Sequence, residues 1–302
     1  MNPLPKVLKR DDYIQEGANP ASGAVLLACS VGDDDERPRS RVIVVRDGVA
    51  LSYAFEGDAL TSIDAAPDGS AWALGENGHV IRFDWRTPAT DAELAASVQR
   101  FTIEGVEDEG PLRRLRLLGA DVVVVGSVGQ AMQFAGGGFV ALPRLAVGGD
   151  EVTIEDLAGP SQADFTAVSN DGYAARFNGQ RWHKLDLPSN TPLNAIARLA
   201  DNRYAITGDG ATLLVGAADQ WQTIALPDDE RSYWGIAAEG DAIYLAHVGG
   251  IDVVSGGSAQ ALKIARRRQN EFVVLRSGPD GVWSFAGRSV GRIAGGVWQV
   301  ML

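Results

Sequence analysis

The chain has 302 residues, 45% of them hydrophobic, which suits one large domain or two ordinary ones. Its formal net charge of −12 argues against nucleic acid or an anionic membrane as ligand and favours a basic partner. A single cysteine, Cys29, excludes an internal disulfide, and no apolar run approaches the ~18 residues of a transmembrane helix.

The first unit, residues 1–57, is the least regular. Strands are expected at residues 25–31 and 41–46, with Asp47-Gly48 turning into a third at 49–55. Asp33, Asp34, Asp35 and Glu36 fill the long loop between the first two strands. The missing inner strand is expected around residues 6–14. Cys29, inside AVLLACSV, reads as a small buried hydrophobe.

Residues 58–109 carry the next unit, with strands in LTSIDAA, SAWALG, HVIRFDW and QRFTIEG. A short helical insert is expected near residues 88–99, PATDAELAASVQ, with Thr90 or Asp91 as its cap. Residues 110–149 follow as LRRLRLL, VVVVGS, AMQFA and FVALP.

Residues 163–227 contain two consecutive copies of one pattern, ADFTAVSNDGYAARFNGQRWHKLDLP and NRYAITGDGATLLVGAADQWQTIALP. Trp182 and Trp221 lie 39 residues apart, and Pro188 and Pro227 keep that interval. A repeat of ~40 residues with four short strands is what one β-propeller blade requires. The inner strands of these two units are VTIEDLA and LNAIARLA, and an extra bend is expected at Gly159-Pro160. Two further units close the chain at 231–268 and 269–302. Candidate fourth-strand landmarks at Phe55, Phe101, Phe139, Trp182, Trp221, Leu262 and Trp298 are spaced by 46, 38, 43, 39, 41 and 36 residues. The expected fold is all-β: one propeller domain over residues 1–302 with blades at 1–57, 58–109, 110–149, 150–191, 192–230, 231–268 and 269–302. That makes seven four-stranded blades, or six if residues 1–57 form a cap.

With its glycine turns, outer aromatic and Leu-Pro, the chain resembles bacterial β-propeller repeat proteins of the broad Asp-box and regulator-type class. It departs from the Asp-box order at Ala217-Ala218-Asp219-Gln220-Trp221 and at Gly295-Gly296-Val297-Trp298. It also lacks the Gly-His and Trp-Asp pairs of WD40 repeats, since Arg86 follows Trp85. The resemblance implies the fold; function has to be argued from the residues.

In a propeller, the loops joining strands 2 and 3 share a face with the links from strand 4 to the next blade. On that face the register places Asp33 to Glu36, Glu107-Asp108-Glu109, Asp150-Glu151 and Asp228-Asp229-Glu230, with Glu76, Asp171 and Asp209. Tyr233-Trp234 opens the inner strand of blade 6 at the channel mouth and reads as an aromatic anchor. Arg266-Arg267-Arg268, joining blades 6 and 7, and Arg113, Arg114 and Arg116, beginning the inner strand of blade 3, interrupt the acidity. The opposite face receives single turn acids: Asp47, Asp68, Asp121, Asp201, Asp241 and Asp280.

Catalytic signatures are lacking. His79, His183 and His247 are dispersed and form no zinc pattern, and Gly136-Gly137-Gly138 is a hairpin turn with no helix behind it. His247, in a strand 2–3 loop, is the one histidine placed to face the channel. Inner strands supply Asp64, Glu155 and Asp156 and little else acidic. No catalytic residue, metal or cofactor is assigned. The expectation is a cytoplasmic, non-catalytic propeller that engages a basic protein through its acidic loops and Tyr233-Trp234, such as an immunity-type inhibitor of a nuclease-like toxin. Two alternatives are a lyase or hydrolase acting in the central channel, and a sugar- or peptide-binding module. Oligomeric state is left open by the sequence.

Overall fold

In a computed structural model, the described residues are 3–32, 38–227, 230–264 and 272–302. They form seven four-stranded antiparallel sheets, each made of four strands consecutive in sequence. These are the seven blades of a propeller. Blade 1 contains Asp12–Ala18, Ala24–Val31, Arg39–Arg46 and Val49–Glu56. The inner strands of blades 2 to 7 are Leu60–Ala65, Leu112–Leu118, Ile154–Ser161, Leu193–Arg198, Tyr233–Glu239 and Val274–Gly278.

The blades do not surround one common core. Seven apolar clusters occur, one at each junction between neighbouring blades. The period-2 alternation of a strand explains how. In AVLLACSV, Leu26 and Ala28 pack towards blade 2 while Val25, Leu27 and Cys29 pack towards blade 7. Both faces of a middle strand are therefore buried, so such strands read as unbroken apolar runs. The free Cys29 thiol is one of these packing groups, and burial pushes its pKa up to about 12.

Asp47 and Gly48 both take positive φ, as a two-residue hairpin turn of the I′ kind demands. The helical insert forms at Asp91–Ser97, where the Thr90 hydroxyl accepts the Glu93 amide at 3.2 Å. Leu94 on that helix packs into the junction of blades 1 and 2. Two small elements escaped the sequence reading: a one-turn helix at Val106–Glu109 and a hairpin of Ala146–Val147 with Asp150–Glu151. Gly159-Pro160 interrupts no strand; it is absorbed as a register shift inside Ile154–Ser161.

Two expectations are corrected. The inner strand of blade 1 is Asp12–Ala18. Residues before it dock on the end of the chain: the Leu4 amide donates to Met301 O at 2.7 Å, and Leu4, Val7 and Leu8 join Met301 and Leu302 in one cluster. Leu262 lies one residue beyond its strand, and Ala259 occupies the ladder place that Trp298 fills in blade 7.

The ring closes without exchange of a strand between its ends. Blades 7 and 1 meet through the isolated bridge of Ile14 with Gly287, where the Ile14 amide donates to Gly287 O at 2.6 Å. Arg288 donates to the carbonyls of Lys9, Arg10 and Asp12. On the opposite face Asp280 accepts from the Ser22 hydroxyl at 2.6 Å and the Gly23 amide at 2.9 Å. Met301 is a buried part of this seam, whereas its neighbour Val300 is 53% exposed. Met301→Ala is expected to cost about 2–3 kcal/mol in a urea unfolding experiment. Val300→Ala should change stability by less than about 0.5 kcal/mol. Equal effects of the two would contradict the seam packing.

Candidate functional site

The channel is occupied by its own side chains. Glu16, wholly buried on the inner strand of blade 1, approaches Arg116 at 3.0 Å and Arg114 at 3.5 Å from blade 3, and Arg276 at 3.9 Å from blade 7. Arg116 also meets Asp156 of blade 4 at 2.9 Å, and Arg276 meets Asp64 of blade 2 at 2.8 Å. Pairs between blades 1 and 3, and between 7 and 2, skip a blade and so span part of the channel. Three guanidinium groups and three carboxylates cancel in charge.

The same acids also join neighbouring blades. Glu16 Oε2 accepts the Ile63 amide at 3.0 Å, Asp64 Oδ2 the Leu117 amide at 3.0 Å, and Asp156 Oδ2 the Ile196 amide at 3.3 Å. Inner strands of adjacent blades splay apart and form no ladder with each other. A carboxylate that spans the gap satisfies an amide otherwise left orphaned. On blades 5 and 6 the corresponding places hold Ala195, Ala197, Gly235 and Ala237, so the charge sits to one side of the axis.

Asp64 and Asp156, picked out in the sequence as inner-strand acids, are thus held by arginines. Glu16 was missed because its strand was placed too early in the chain. Arg114 and Arg116, expected at the start of the inner strand of blade 3 as charges of the acidic face, lie on that strand and pair with acids in the channel. His247 ends the second strand of blade 6, packs edge-on against Tyr233, and shares its Nδ1 with Val248 O at 2.8 Å. Among the described residues, no group of three or more His, Cys, Asp or Glu is placed to hold a metal ion.

The loop face forms as the connectivity requires. Asp58, in the link to blade 2, accepts from the Asn77 amide at 3.1 Å and the His79 amide at 3.2 Å in the strand 2–3 turn. Asp171 and Asp209 do local work there: Asp171 accepts the Thr153 amide, and Asp209 the Asn194 side-chain amide. Glu107 and Asp108 are exposed on the one-turn helix, and Asp150 and Glu151 on the small hairpin. Arg144 forms ion pairs with both Glu109 and Glu151, tying helix to hairpin. Two of the acids are therefore engaged in part, and Glu107, Asp108 and Asp150 keep the outward charge. Glu230 belongs to the link into blade 6. Asp33, Asp34, Asp35, Glu36, Asp228 and Asp229, like Arg266, Arg267 and Arg268, lie outside the described residues. On the opposite face Asp68 and Asp201 accept local hydrogen bonds, the turn role expected of them, whereas Asp121 and Asp280 reach the neighbouring blade, at the Gln162 and Gly23 amides.

The expected aromatic pair divides. Tyr233 is wholly buried; its hydroxyl donates to Asp252 Oδ2 at 2.6 Å, which Arg231 also meets at 2.6 Å. Burial and the Asp252 carboxylate push the Tyr233 pKa up. This ring is a packing residue and is not available as an anchor. Trp234 is 44% exposed at the mouth. Three more exposed apolar side chains sit in the same sector of this face: Val248, Val273 and Tyr13.

No protein-family model matches the chain. In sequence, 147 residues are 26% identical to the immune protein Tsi7 of Pseudomonas aeruginosa, covering 49% of this chain and 48% of that protein. The match thus spans about half the length of the relative. Among solved structures, YCF48 bound to D1 peptide superposes with a TM-score of 0.70 at 15% identity, covering 96% of this chain and 94% of that one. The WD40 β-propeller domain of Doa1 gives 0.71 at 12% identity, with 96% and 95% covered. At such identities the likeness establishes the propeller fold alone, and the resemblance to Asp-box propellers extends no further than that. Among the described residues no helix is long and apolar enough to cross a membrane.

Burial pushes the Glu16 carboxyl up, yet Arg116, Arg114 and Arg276, with the Ser62 hydroxyl, hold it down to about 2 against an ordinary 4.5. Its folded pKa lies below the unfolded one, so its stabilisation is full above that ordinary value and is lost as pH falls towards 2. The difference corresponds to about 3 kcal/mol. Glu16→Gln should therefore lower stability near neutral pH by about 3–5 kcal/mol, because it leaves three buried cations short of a partner. It should also flatten the acid limb of a denaturation profile. An acid limb identical to the wild type would contradict this account of the channel.

Proposed function

We propose that this chain is a protein-binding propeller of immunity type, which recognises a toxin through its loop face and masks it. The observation that carries the proposal is the sequence likeness to the immune protein Tsi7 over half the chain. Two features of the molecule support it. The channel acids are spent on arginines and on neighbouring amides, which leaves the loops and the mouth as the surface for a ligand. The outward acids Glu107, Asp108 and Asp150 all lie in the links that join blades 2, 3 and 4. They favour a basic partner and would speed its encounter.

The test begins with capture of proteins from native lysate of the source cells at low and high salt. The retained protein, once purified, is expected to bind this chain directly, to be toxic when produced alone, and to be harmless when the two are produced together. Exposed charges are screened over ~10 Å at 0.1 M salt and ~3 Å at 1 M, so affinity should fall as salt rises. The triple substitution Glu107→Lys, Asp108→Lys and Asp150→Lys should weaken binding about tenfold, mostly through slower association. A captured partner whose affinity ignores both salt and this substitution would remove the acidic loops from the interface. A partner that is not toxic, or that is not neutralised, would remove the immunity role.

A further inference from the structure

Six of the seven inner strands slip register at the same place, where they enter the channel. The residues set out of register are Gln15, Thr61, Arg113, Glu155, Asn194 and Trp234. Val273 holds the corresponding position just before the inner strand of blade 7. A bulge re-aims a side chain out of the alternation of its strand. Here the repeated bulge takes one residue in each of six blades out of the alternation at the channel entrance. Charges in this ring come in opposite signs on adjacent blades, Arg113 beside Glu155, so the ring exerts little net electrostatic pull. Discrimination has to come from its apolar side.

That side is built. Gly235 brings the inner strand of blade 6 against the Val273 carbonyl of blade 7 so closely that a Cβ would overlap it, which sets Trp234 next to Val273. Between blades 7 and 1 a cleft of about 350 Å³ opens beside them, lined by Tyr13, Gln15, Ser30, Val273, Phe285 and Gly287. Phe285 is buried beneath it, and Gly17 must lack a side chain for that ring to fit. Tyr13 and Val273 are 43% and 39% exposed at the rim, and Gln15 donates to the Ser30 hydroxyl at 2.8 Å. The cleft is at the small end of ligand cavities, which run from about 300 to 1,000 Å³. Exposed Trp234 lies on the next inner strand, that of blade 6. This is the form of a pocket for one anchoring side chain at a protein interface.

We propose that this seam socket receives a single aromatic or long aliphatic side chain from the tip of a loop on the protein partner. The partner's basic residues then lie towards Glu107, Asp108 and Asp150, across the mouth on the links around blades 2, 3 and 4. Charge complementarity thus orients the partner, and the socket selects it. The socket's role rests on the protein-binding function proposed above, and its test keeps the two apart.

The probe is a fluorescein-labelled peptide, Gly-Lys-Gly-Phe-Gly-Lys-Gly, titrated against the full chain by anisotropy. Val273→Asp and Tyr13→Ser alter exposed rim residues, and Val140→Asp, exposed on the outer strand of blade 3, serves as control. The socket requires that the Phe peptide bind about tenfold more weakly to Val273→Asp and to Tyr13→Ser, and unchanged to Val140→Asp. A peptide with Ser in place of Phe should lose a similar factor against the wild type. Equal binding of the Phe and Ser peptides, or equal binding to wild type and both rim variants, overturns the socket. The same variants are then titrated with the purified partner from the capture experiment. Loss of partner binding in Val273→Asp and Tyr13→Ser, with thermal melting unchanged, confirms it. Partner binding kept by both rim variants but lost on charge reversal of the acidic loops overturns the socket while leaving the protein-binding function intact. Absence of any partner, with Phe peptide binding still dependent on Val273, overturns that function and leaves the socket as an apolar side-chain site.

Discussion

Glu16 is the group on which the ring leans. A carboxylate removed from water is costly unless opposite charge and hydrogen bonds surround it, and here three arginines from two other blades do so. Two of those arginines, Arg114 and Arg116, come from blade 3, which is not adjacent to blade 1, and Arg276 comes from the neighbouring blade 7, so their convergence ties three blades together through one carboxylate. Asp64 and Asp156 extend the same device by reaching amides of the next inner strand. The outward consequence is functional: a neutral, self-satisfied channel leaves little unpaired chemistry on the axis. On the proposed function, recognition then falls to the rim, where loops can vary without disturbing the packing between blades.

The blades were legible because their middle strands are buried on both faces. AVLLACSV and VVVVG are unbroken apolar runs set between turn residues, and the paired tryptophans at 182 and 221 gave the period. The helical insert was legible for a local reason, since Thr90 caps it through its own neighbours. The inner strand of blade 1 was not. DYIQEGA carries a bulge between Ile14 and Glu16 that breaks the alternation by which a strand is recognised. The error hid Glu16, and with it the partner that turns Arg114 and Arg116 inward. Leu262 failed as a landmark because blade 6 places Ala259 where blades 3, 4, 5 and 7 carry Phe139, Trp182, Trp221 and Trp298.

The candidate site was legible only as connectivity. Loop order assigned the acidic clusters to one set of links, but pairing was beyond it. Arg144 meets Glu109, 35 residues earlier, and Glu151, seven residues later, because a short helix and a hairpin meet in space. Tyr233 and Trp234 looked equivalent in sequence. Asp252, on a different strand, captures the Tyr233 hydroxyl, and the bulge sends Trp234 the other way. The pattern of bulges itself leaves no mark in composition or periodicity, since it is a property of pairing.

Each blade is a meander of four consecutive strands, so nearly all ladder pairing is local along the chain. The junction of blades 7 and 1 is the exception: Ile14 pairs with Gly287, and Asn19 with Asp280. Closing a loop of that length carries a large entropic cost, met only once the segment between is already compact. Blades can therefore form and stack one upon the next as in an open repeat array, with ring closure the last event. Until then the apolar flanks of the two terminal blades, including Val25, Leu27 and Phe285, face solvent. A chain halted at that stage has two sticky ends and the geometry of a link in a polymer, so fast closure is what separates folding from head-to-tail association.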